Sequence, residues 1–311
     1  FIENTIDPMV ARDDNIRFFD HRREDARTDW ERGGLPSHDW EELLRECRKA
    51  ADEAGHWRFS APKKYGGKDG SNLWMAVIRD RFAQRGLGLH NDLQNEHSIV
   101  GNFPFVAMFE TFGTEEQKQE FINGGFEGTR RVAFGLTEPD HGSDATWMET
   151  RAVRETRDGV DGWRIDGEKM WITGMHVATH CAMFARTSGH NGKPSGITCF
   201  LVPNPTPGLE IEEWMWTFNM PTDHPRLSVN DVWVPDSAIL GREGGGRWHK
   251  ASSTRTASAR PPPALARRNT VSSRASAMPG PANPSARSWP RTRRSSSRWS
   301  SSRPSARCCA C

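Results

Sequence analysis

The most informative stretch of the chain is residues 134–144, Phe-Gly-Leu-Thr-Glu-Pro-Asp-His-Gly-Ser-Asp. Its large apolar residues first alternate, which is the period of a β-strand. The segment then becomes rich in hydroxyl, carboxylate and glycine residues, as turns are. Such a turn can present backbone N–H groups and the hydroxyls of Thr137 and Ser143 to the polar edge of a planar heterocycle. The segment therefore predicts a strand that leads into a candidate ligand-binding turn.

The residues before this stretch are predicted to be helical. The clearest helix is predicted after Pro36-Ser37, because apolar residues recur there at helical spacing. Gly55 should end it. These residues are Trp40, Leu43, Leu44, Cys47 and Ala51. A second helix is predicted over residues 72–85. Thr114 and Gln117 form a capping box that starts a third helix, which is expected to end at Gly124-Gly125.

The residues after the stretch are predicted to be strands. Hairpin-type turn signals occur in close succession at Asp158-Gly159, Asp161-Gly162 and Asp166-Gly167. Further strand-like runs are His176–Ala185, Gly196–Val202, Leu209–Glu213 and Leu227–Val234. Residues 131–240 therefore predict an antiparallel β domain. A helical block followed by a β block indicates a segregated α+β fold.

The composition changes abruptly near Gly246. Residues 247–311 contain 14 Lys and Arg and no Asp or Glu, although the whole chain has a net charge of only +2. This tail is too polar and too rich in proline to bury a core. One interpretation is a basic arm that binds nucleic acid. We favour the other, in which the tail is an out-of-frame reading of GC-rich DNA, because acids are absent and Lys is nearly so.

Several classes of protein are excluded or disfavoured. No apolar run approaches the 18 or more residues of a membrane span, and neither GxGxxG nor GxxxxGK[ST] occurs. Outside the tail the cysteines form no CxxC pair, and nearby histidines lack zinc-ligand spacing, so no metal site is predicted. Isolated cysteines are typical of a reducing compartment, and a cytoplasmic location is expected.

A second segment, Lys169-Met170-Trp171-Ile172-Thr173-Gly174, supplies an indole face and another hydroxyl. Taken alone, either segment is better explained as an ordinary hairpin corner. Together, and at this spacing, they resemble the acyl-CoA dehydrogenase family. The helix start at 113–118 and the residues 231–235 and 240–241 also resemble family motifs, so the resemblance covers about residues 1–246.

The resemblance implies three regions. These are an amino-terminal helical domain (1–130), a middle β-barrel domain that binds FAD and acyl-CoA (131–241), and a tail (242–311) that stands where the family has a carboxy-terminal helical domain. The chain departs from the family pattern at His141 and Trp147, where the family usually has small residues.

The resemblance also implies roles for individual residues. Phe134, Leu136 and Thr137 would line the flavin, with Gly142 and Ser143 in the adjoining turn. Ser143 would contact both the FAD phosphate region and the pantetheine arm of the substrate. Trp171 and Ile172 would pack beside the flavin ring, and Thr173 would hydrogen-bond near N5. Glu138 and Pro139 are expected to shape the turn without taking part in the chemistry.

The implied reaction is the α,β-dehydrogenation of an acyl-CoA thioester, with a glutamate as base and FAD as hydride acceptor. The implied partners are acyl-CoA, an electron-transfer flavoprotein or similar acceptor, and further copies of the chain in the intact parent. The family's base lies after residue 246, but no carboxylate follows Glu243 here. No catalytic residue is therefore assigned, and the chain is expected to be an inactive fragment. The alternatives are an acyl-CoA oxidase-like flavoenzyme and a non-catalytic protein with a basic nucleic-acid-binding arm.

Overall fold

The computed structural model describes residues 1–91, 98–216, 221 and 223–245. Helices occupy the first part of the chain. The α-helices are α1 (Asp7–Ala11), α2 (Arg23–Arg27), α3 (His38–Glu53), α4 (Asn72–Gln84), α5 (Pro104–Phe112), α6 (Glu115–Lys118) and α7 (Gly124–Glu127). Shorter 3₁₀ or π-helical turns are Ile2–Ile6, Asn15–Phe18, Lys63–Tyr65, Leu89–Asn91, Gln119–Asn123, Ala145–Trp147 and Asp236–Ala238.

Helix α3 confirms the prediction made from its apolar repeat. Its buried residues are the five that the spacing selected, Trp40, Leu43, Leu44, Cys47 and Ala51. They pack against Ile6, Phe18 and Met75 in a core of the helical region. Residues three and four apart lie on one helix face, so this stripe faces the core while the charged residues between them remain outside.

The capping box is also confirmed. The Gln117 amide donates to the Thr114 hydroxyl, and the Gln117 side chain accepts from the Thr114 amide. The helical stretch that begins there does not end at Gly124-Gly125, as predicted, but continues to Glu127. Gly128 ends it in the left-handed conformation, which glycine adopts without steric cost.

Strands occupy the second part of the described chain, apart from the short pair β1 (Thr28–Asp29) and β2 (Leu35–Pro36). The remaining strands are β3 (Val132–Gly135), β4 (Arg151–Arg157), β5 (Val160–Met170), β6 (His180–Arg186), β7 (Ile197–Pro203), β8 (Leu209–Trp214), β9 (Pro225–Pro235) and β10 (Ile239–Leu240). They form a sheet in the order β10-β7-β6-β4-β5-β9-β8, and β3 also pairs with β6.

Strand β6 lies between two apolar cores. Cys181, Met183 and Ala185 pack with Ile165 and Val229 on one face of the sheet. Ala182 and Phe184, on the other face, pack with residues of α5 and the following helical turn, including Phe109 and Ile122. Because both faces are covered, β6 is an almost continuous apolar run rather than an alternating one. The second of these two cores therefore contains residues of both the helical region and the sheet.

The sheet is mixed, and the prediction of an antiparallel domain was wrong for two pairings, that of β3 with β6 and the single-residue pairing of β4 with β6. Strand β3 runs parallel to β6, from Val132 opposite His180 to Gly135 opposite Met183. The chain between them forms the turn after β3 and the β4–β5 hairpin. A connection of this length allows parallel pairing, which a tight hairpin does not.

Two of the three predicted hairpin turns were also wrong. Asp158-Gly159 joins β4 to β5, but Gly162 and Gly167 lie within β5. A side chain at Gly162 would meet the Val234 carbonyl, and one at Gly167 would meet Thr150. These glycines permit close approach of neighbouring chain segments, and the register of β5 against β9 shifts between Ile165 and Gly167.

Among the described residues, no helix is long and apolar enough to cross a membrane. Within the same residues, no group of three or more His, Cys, Asp or Glu side chains is placed to hold a metal ion. The predicted tail lies outside the described residues from Gly246 onward.

Thr114→Ala should lower the free energy of unfolding by about 1 kcal/mol, because it removes a helix-capping acceptor. Urea denaturation followed by circular dichroism measures this change. Thr111→Ala is the matched control, since the Thr111 hydroxyl donates within a helix to the Ala107 carbonyl and caps no N-terminus. An effect of Thr114→Ala no larger than that of the control would contradict the capping role.

Candidate functional site

The candidate site lies where the pairing along β6 changes from one strand to another. Strand β3 pairs with β6 from His180 to Met183, and β4 meets it only at Arg186. Residues 136–150 connect β3 to β4 and leave the sheet at this point. The change of partner therefore places the predicted ligand-binding turn at an edge that neither strand fills.

The two segments singled out in the sequence come together here. The Met170 amide donates to the Thr137 carbonyl at 2.9 Å. The Lys169 ammonium donates to the Glu138 carboxylate at 2.8 Å and approaches the Leu136 carbonyl at 3.4 Å. The turn after β3 is thus bonded to the end of β5, which brings Thr137 and Trp171–Thr173 to the same region.

Glu138 holds the turn in shape. Its carboxylate accepts hydrogen bonds from the Glu149 amide at 2.6 Å and the Thr150 amide at 3.0 Å, besides that from Lys169. Burial raises the pKa of Glu138, but the positive charge of Lys169 and these hydrogen bonds outweigh burial and hold the pKa below its ordinary value of 4.5. Glu138 is therefore an ionised, structural carboxylate.

Most of the predicted site residues are accessible. Phe134 is 37% exposed and Trp171 is 40% exposed. Gly142, Ser143 and Thr173 are also exposed, and Leu136 and Thr137 are half-buried. The hydroxyls of Thr137, Ser143 and Thr173 make no hydrogen bond to any residue that the structure describes.

Ile172 differs from the other predicted site residues. It is 1% exposed and packs in the sheet core, so its side chain cannot line a surface site. It anchors Trp171 instead. Trp171 itself has a φ of +64°. Residues other than glycine rarely adopt this backbone conformation, and it is often found at functional sites.

The turn also contains the two bulky residues that depart from the family pattern. The rings of His141 and Trp147 stack with their centroids 6.3 Å apart. His141 lies 3.6 Å from the Glu149 carboxylate, and Trp147 is 49% exposed. Their bulk is accommodated by mutual stacking at the surface.

A cleft of about 820 Å³ adjoins the second segment. It lies between α3, the α5–α7 region and the chain after Trp171. Thr173 and Gly174 line it, but Phe134, Thr137, Ser143 and Trp171 do not. The structure therefore places Thr173 at the border between the exposed aromatic surface and this cleft.

Two residues that the sequence did not single out fix that border. His176 Nε2 lies 2.9 Å from the Glu41 carboxylate of α3, and both residues line the cleft. Burial raises the pKa of Glu41, but the hydrogen bond with His176 and the charges of Arg131 and Arg48 lower it below 4.5 overall. No signal in the sequence pointed to this pair, because its members lie 135 residues apart.

Lys169 begins the second segment, and the family resemblance assigns it no role. Its burial could have been inferred from the period of β5, since it lies in phase with the buried Trp163 and Ile165. A lysine on the inward face of a strand requires a buried partner. Glu138 is that partner.

Comparisons with known proteins agree with this arrangement. Residues 133–232 match the family model "Acyl-CoA dehydrogenase, middle domain", and residues 11–129 match "Acyl-CoA dehydrogenase, N-terminal domain". Together the two matches span more than two thirds of the chain. The chain belongs to the acyl-CoA dehydrogenase family. Both segments of the candidate site fall within the middle-domain match.

Individual relatives are moderately similar. A 3-(aryl)acrylate reductase of Clostridium sporogenes is 30% identical over 203 residues, which cover 64% of this chain and 51% of the relative. A short-chain specific acyl-CoA dehydrogenase of Megasphaera elsdenii is 34% identical over 188 residues, or 59% of this chain and 47% of the relative. The chain thus spans about half the length of these two relatives.

Solved structures show the same fold. A probable acyl-CoA dehydrogenase of Mycobacterium abscessus matches with a TM-score of 0.60 at 22% identity, covering 87% of this chain and 65% of that one. A chain in the structure of the electron transferring flavoprotein of Acidaminococcus fermentans matches with a TM-score of 0.52 at 28% identity. That match covers 68% of this chain and 53% of the other.

Glu41→Gln should make stability less dependent on pH in acid. The folded state lowers the pKa of Glu41, so its carboxylate stabilises the protein above about pH 4.5, and this contribution is lost as pH falls through the lower, folded-state pKa. The difference in unfolding free energy between wild type and variant should therefore be larger at pH 5.5 than at pH 3. Urea denaturation at both values measures it.

The control for this prediction is Glu53→Gln. Glu53 lies on the same helix, and its side chain is 67% exposed beside Lys49. A pH-dependent difference of equal size in the control would show that the effect comes from general helix charge and not from the Glu41–His176 pair.

Proposed function

We propose that this protein is the amino-terminal and middle part of an FAD-dependent acyl-CoA dehydrogenase. The proposal rests on the hydrogen bonds that join the turn 136–144 to residues 169–174. The joined segments include an accessible aromatic residue, Trp171, and a second one, Phe134, lies at the end of β3 just before the turn. The hydroxyls of Thr137, Ser143 and Thr173 form no hydrogen bond with a described residue. Accessible aromatic side chains and free hydroxyls suit a heterocycle with a polar edge.

The residues present fit a flavin. Phe134 and Trp171 would contact the ring, and Leu136 would add apolar contact at the end of β3. Thr137 and Thr173 would bond its polar edge, while Gly142 and Ser143 would approach the phosphate region. Ile172 would support Trp171 from the core. When bound, the flavin supplies the hydride acceptor for α,β-dehydrogenation.

The substrate in this proposal is an acyl-CoA thioester. Ser143, exposed on the turn, would bind its pantetheine arm, and the half-buried His141 stacks on the exposed Trp147 in the same turn. The chain's own contribution is to hold the thioester against the hydride acceptor and to orient it, which is the usual contribution of a protein to cofactor chemistry. An electron-transfer flavoprotein as acceptor, and assembly with further copies of the parent chain, complete the proposal.

The base is not among the residues of this site. Glu138 is ionised, but it is buried and already engaged by three donors. In the printed sequence no Asp or Glu follows Glu243, and the family resemblance places the base beyond that point. We therefore propose that residues 1–245 bind the ligands and that the general base, whose loss typically costs about 10²–10⁴ in rate, is not one of them.

Thr173→Val should lower the affinity for FAD about 2- to 13-fold, because one net hydrogen bond contributes about 0.5–1.5 kcal/mol. Quenching of flavin fluorescence during titration measures the affinity. Thr206→Val is the control, since the Thr206 hydroxyl donates an exposed hydrogen bond to the Pro203 carbonyl, outside the site. Wild type that binds no FAD would contradict the cofactor assignment, and equal affinity of Thr173→Val and wild type would contradict the placement of Thr173.

A further inference from the structure

The ion pair between Glu138 and Lys169 is shielded from solvent. The Lys169 side chain is 0% exposed and the Glu138 side chain 4% exposed, with 2.8 Å between Nζ and Oε1. Neither group can reach a ligand at the surface. The pair can therefore affect a ligand only through the residues whose positions it fixes.

The pair joins three segments of the chain. Glu138 belongs to the turn after β3, and its carboxylate accepts from the amides of Glu149 and Thr150, which precede β4. Lys169 belongs to the end of β5. The Thr150 hydroxyl donates to the Glu168 carbonyl at 3.2 Å, which adds another link between the same segments.

The residues adjacent to the pair belong to the candidate site. Thr137 precedes Glu138, and its carbonyl accepts the Met170 amide that follows Lys169. Trp171, with its positive φ, comes next. The position of either charged residue is therefore linked through the backbone to that of Thr137 and Trp171.

Stability alone is a poor explanation for this pair. Removing two charges from water costs several kcal/mol per ion, and well-packed apolar replacements of buried pairs are often neutral or stabilising. In some proteins a buried polar group instead selects one arrangement of the chain among several. The joining of three segments beside a candidate site matches that second role.

We infer that Glu138 and Lys169 are a positioning pair, which holds the turn 137–143 and residues 170–173 in the single arrangement that forms the ligand-binding surface. The consequence for cofactor affinity rests on the proposed function, whereas the arrangement itself is a property of the chain. Neither residue is a catalytic residue.

The test compares the full chain with Lys169→Met, Glu138→Gln and the double variant. Lys169→Met leaves an unpaired buried carboxylate and should lower the melting temperature most. The double variant removes both charges and should recover most of that loss. Amide hydrogen exchange followed by mass spectrometry then reports the two segments separately from the remaining sheet.

In the double variant, peptides covering residues 136–144 and 168–174 should exchange at least about tenfold faster than in wild type. Peptides covering β6 and β7 should be unchanged. The dissociation constant for FAD should rise at least about tenfold, a larger effect than losing one hydroxyl. A pair that only stabilised the fold would not produce these local changes once the melting temperature was nearly restored.

The matched control is the double variant Glu168→Gln/Arg226→Met. Glu168 lies next to Lys169 in sequence and is 2.6 Å from Arg226, measured from Oε2 to Nη2, but both side chains are exposed. It should leave exchange in both segments and FAD affinity at wild-type values.

Wild-type exchange in both segments of the Glu138→Gln/Lys169→Met chain would overturn the inference, and so would uniformly faster exchange across the sheet. A different result separates the two proposals. If the segments loosen as expected but wild type binds no FAD, the positioning role stands and the proposed cofactor is wrong.

Discussion

Strand β6 is the constraint on which the rest of this structure depends. One of its edges is paired throughout with β7, and both of its faces are covered by apolar side chains. Its other edge is shared between β3 and β4. Since buried backbone groups must be paired, the two strands have to meet this edge in succession. The chain that connects them is forced away from the sheet, and this displaced chain carries the site.

The same arrangement explains why the helical region and the sheet do not behave as independent layers. Ala182 and Phe184 project from β6 toward α5 and the following helical turn, where they join Phe109 and Ile122 in one core. The Glu41–His176 bond connects α3 to the chain just beyond Thr173. The position of the candidate site is thus determined from both sides, by sheet pairing and by helix packing.

Features that reduce stability are concentrated at this edge. The fully buried Lys169 and the exposed Trp171, whose φ is +64°, lie two positions apart in the chain. Natural chains tend to depart from the rules of stable folding where function requires it. Cys181 and Cys199, by contrast, are buried thiols whose pKa values burial raises, to about 12 for Cys181, so they are unreactive core residues.

Sequence patterns predicted the elements whose signals are local. The apolar stripe of α3 was identified residue by residue, and the capping box at Thr114 was identified with both of its hydrogen bonds. They failed where a distant neighbour decides the outcome. Gly162 and Gly167 have the residue types of turns, but they lie inside β5 because Val234 and Thr150 approach too closely for a side chain. The parallel pairing of β3 likewise depends on a strand more than forty residues away.

The sequence by itself determined the α+β order of elements, the family resemblance and the two segments that form the candidate site, because periodicity, capping and motif spacing are written along the chain. The tertiary structure decided that these segments are bonded to each other, that Ile172 is buried while Phe134 and Trp171 are accessible, and that Lys169 pairs with Glu138. These facts depend on which groups share a buried volume. Desolvation and close packing set that outcome, and both act between residues that are remote in sequence.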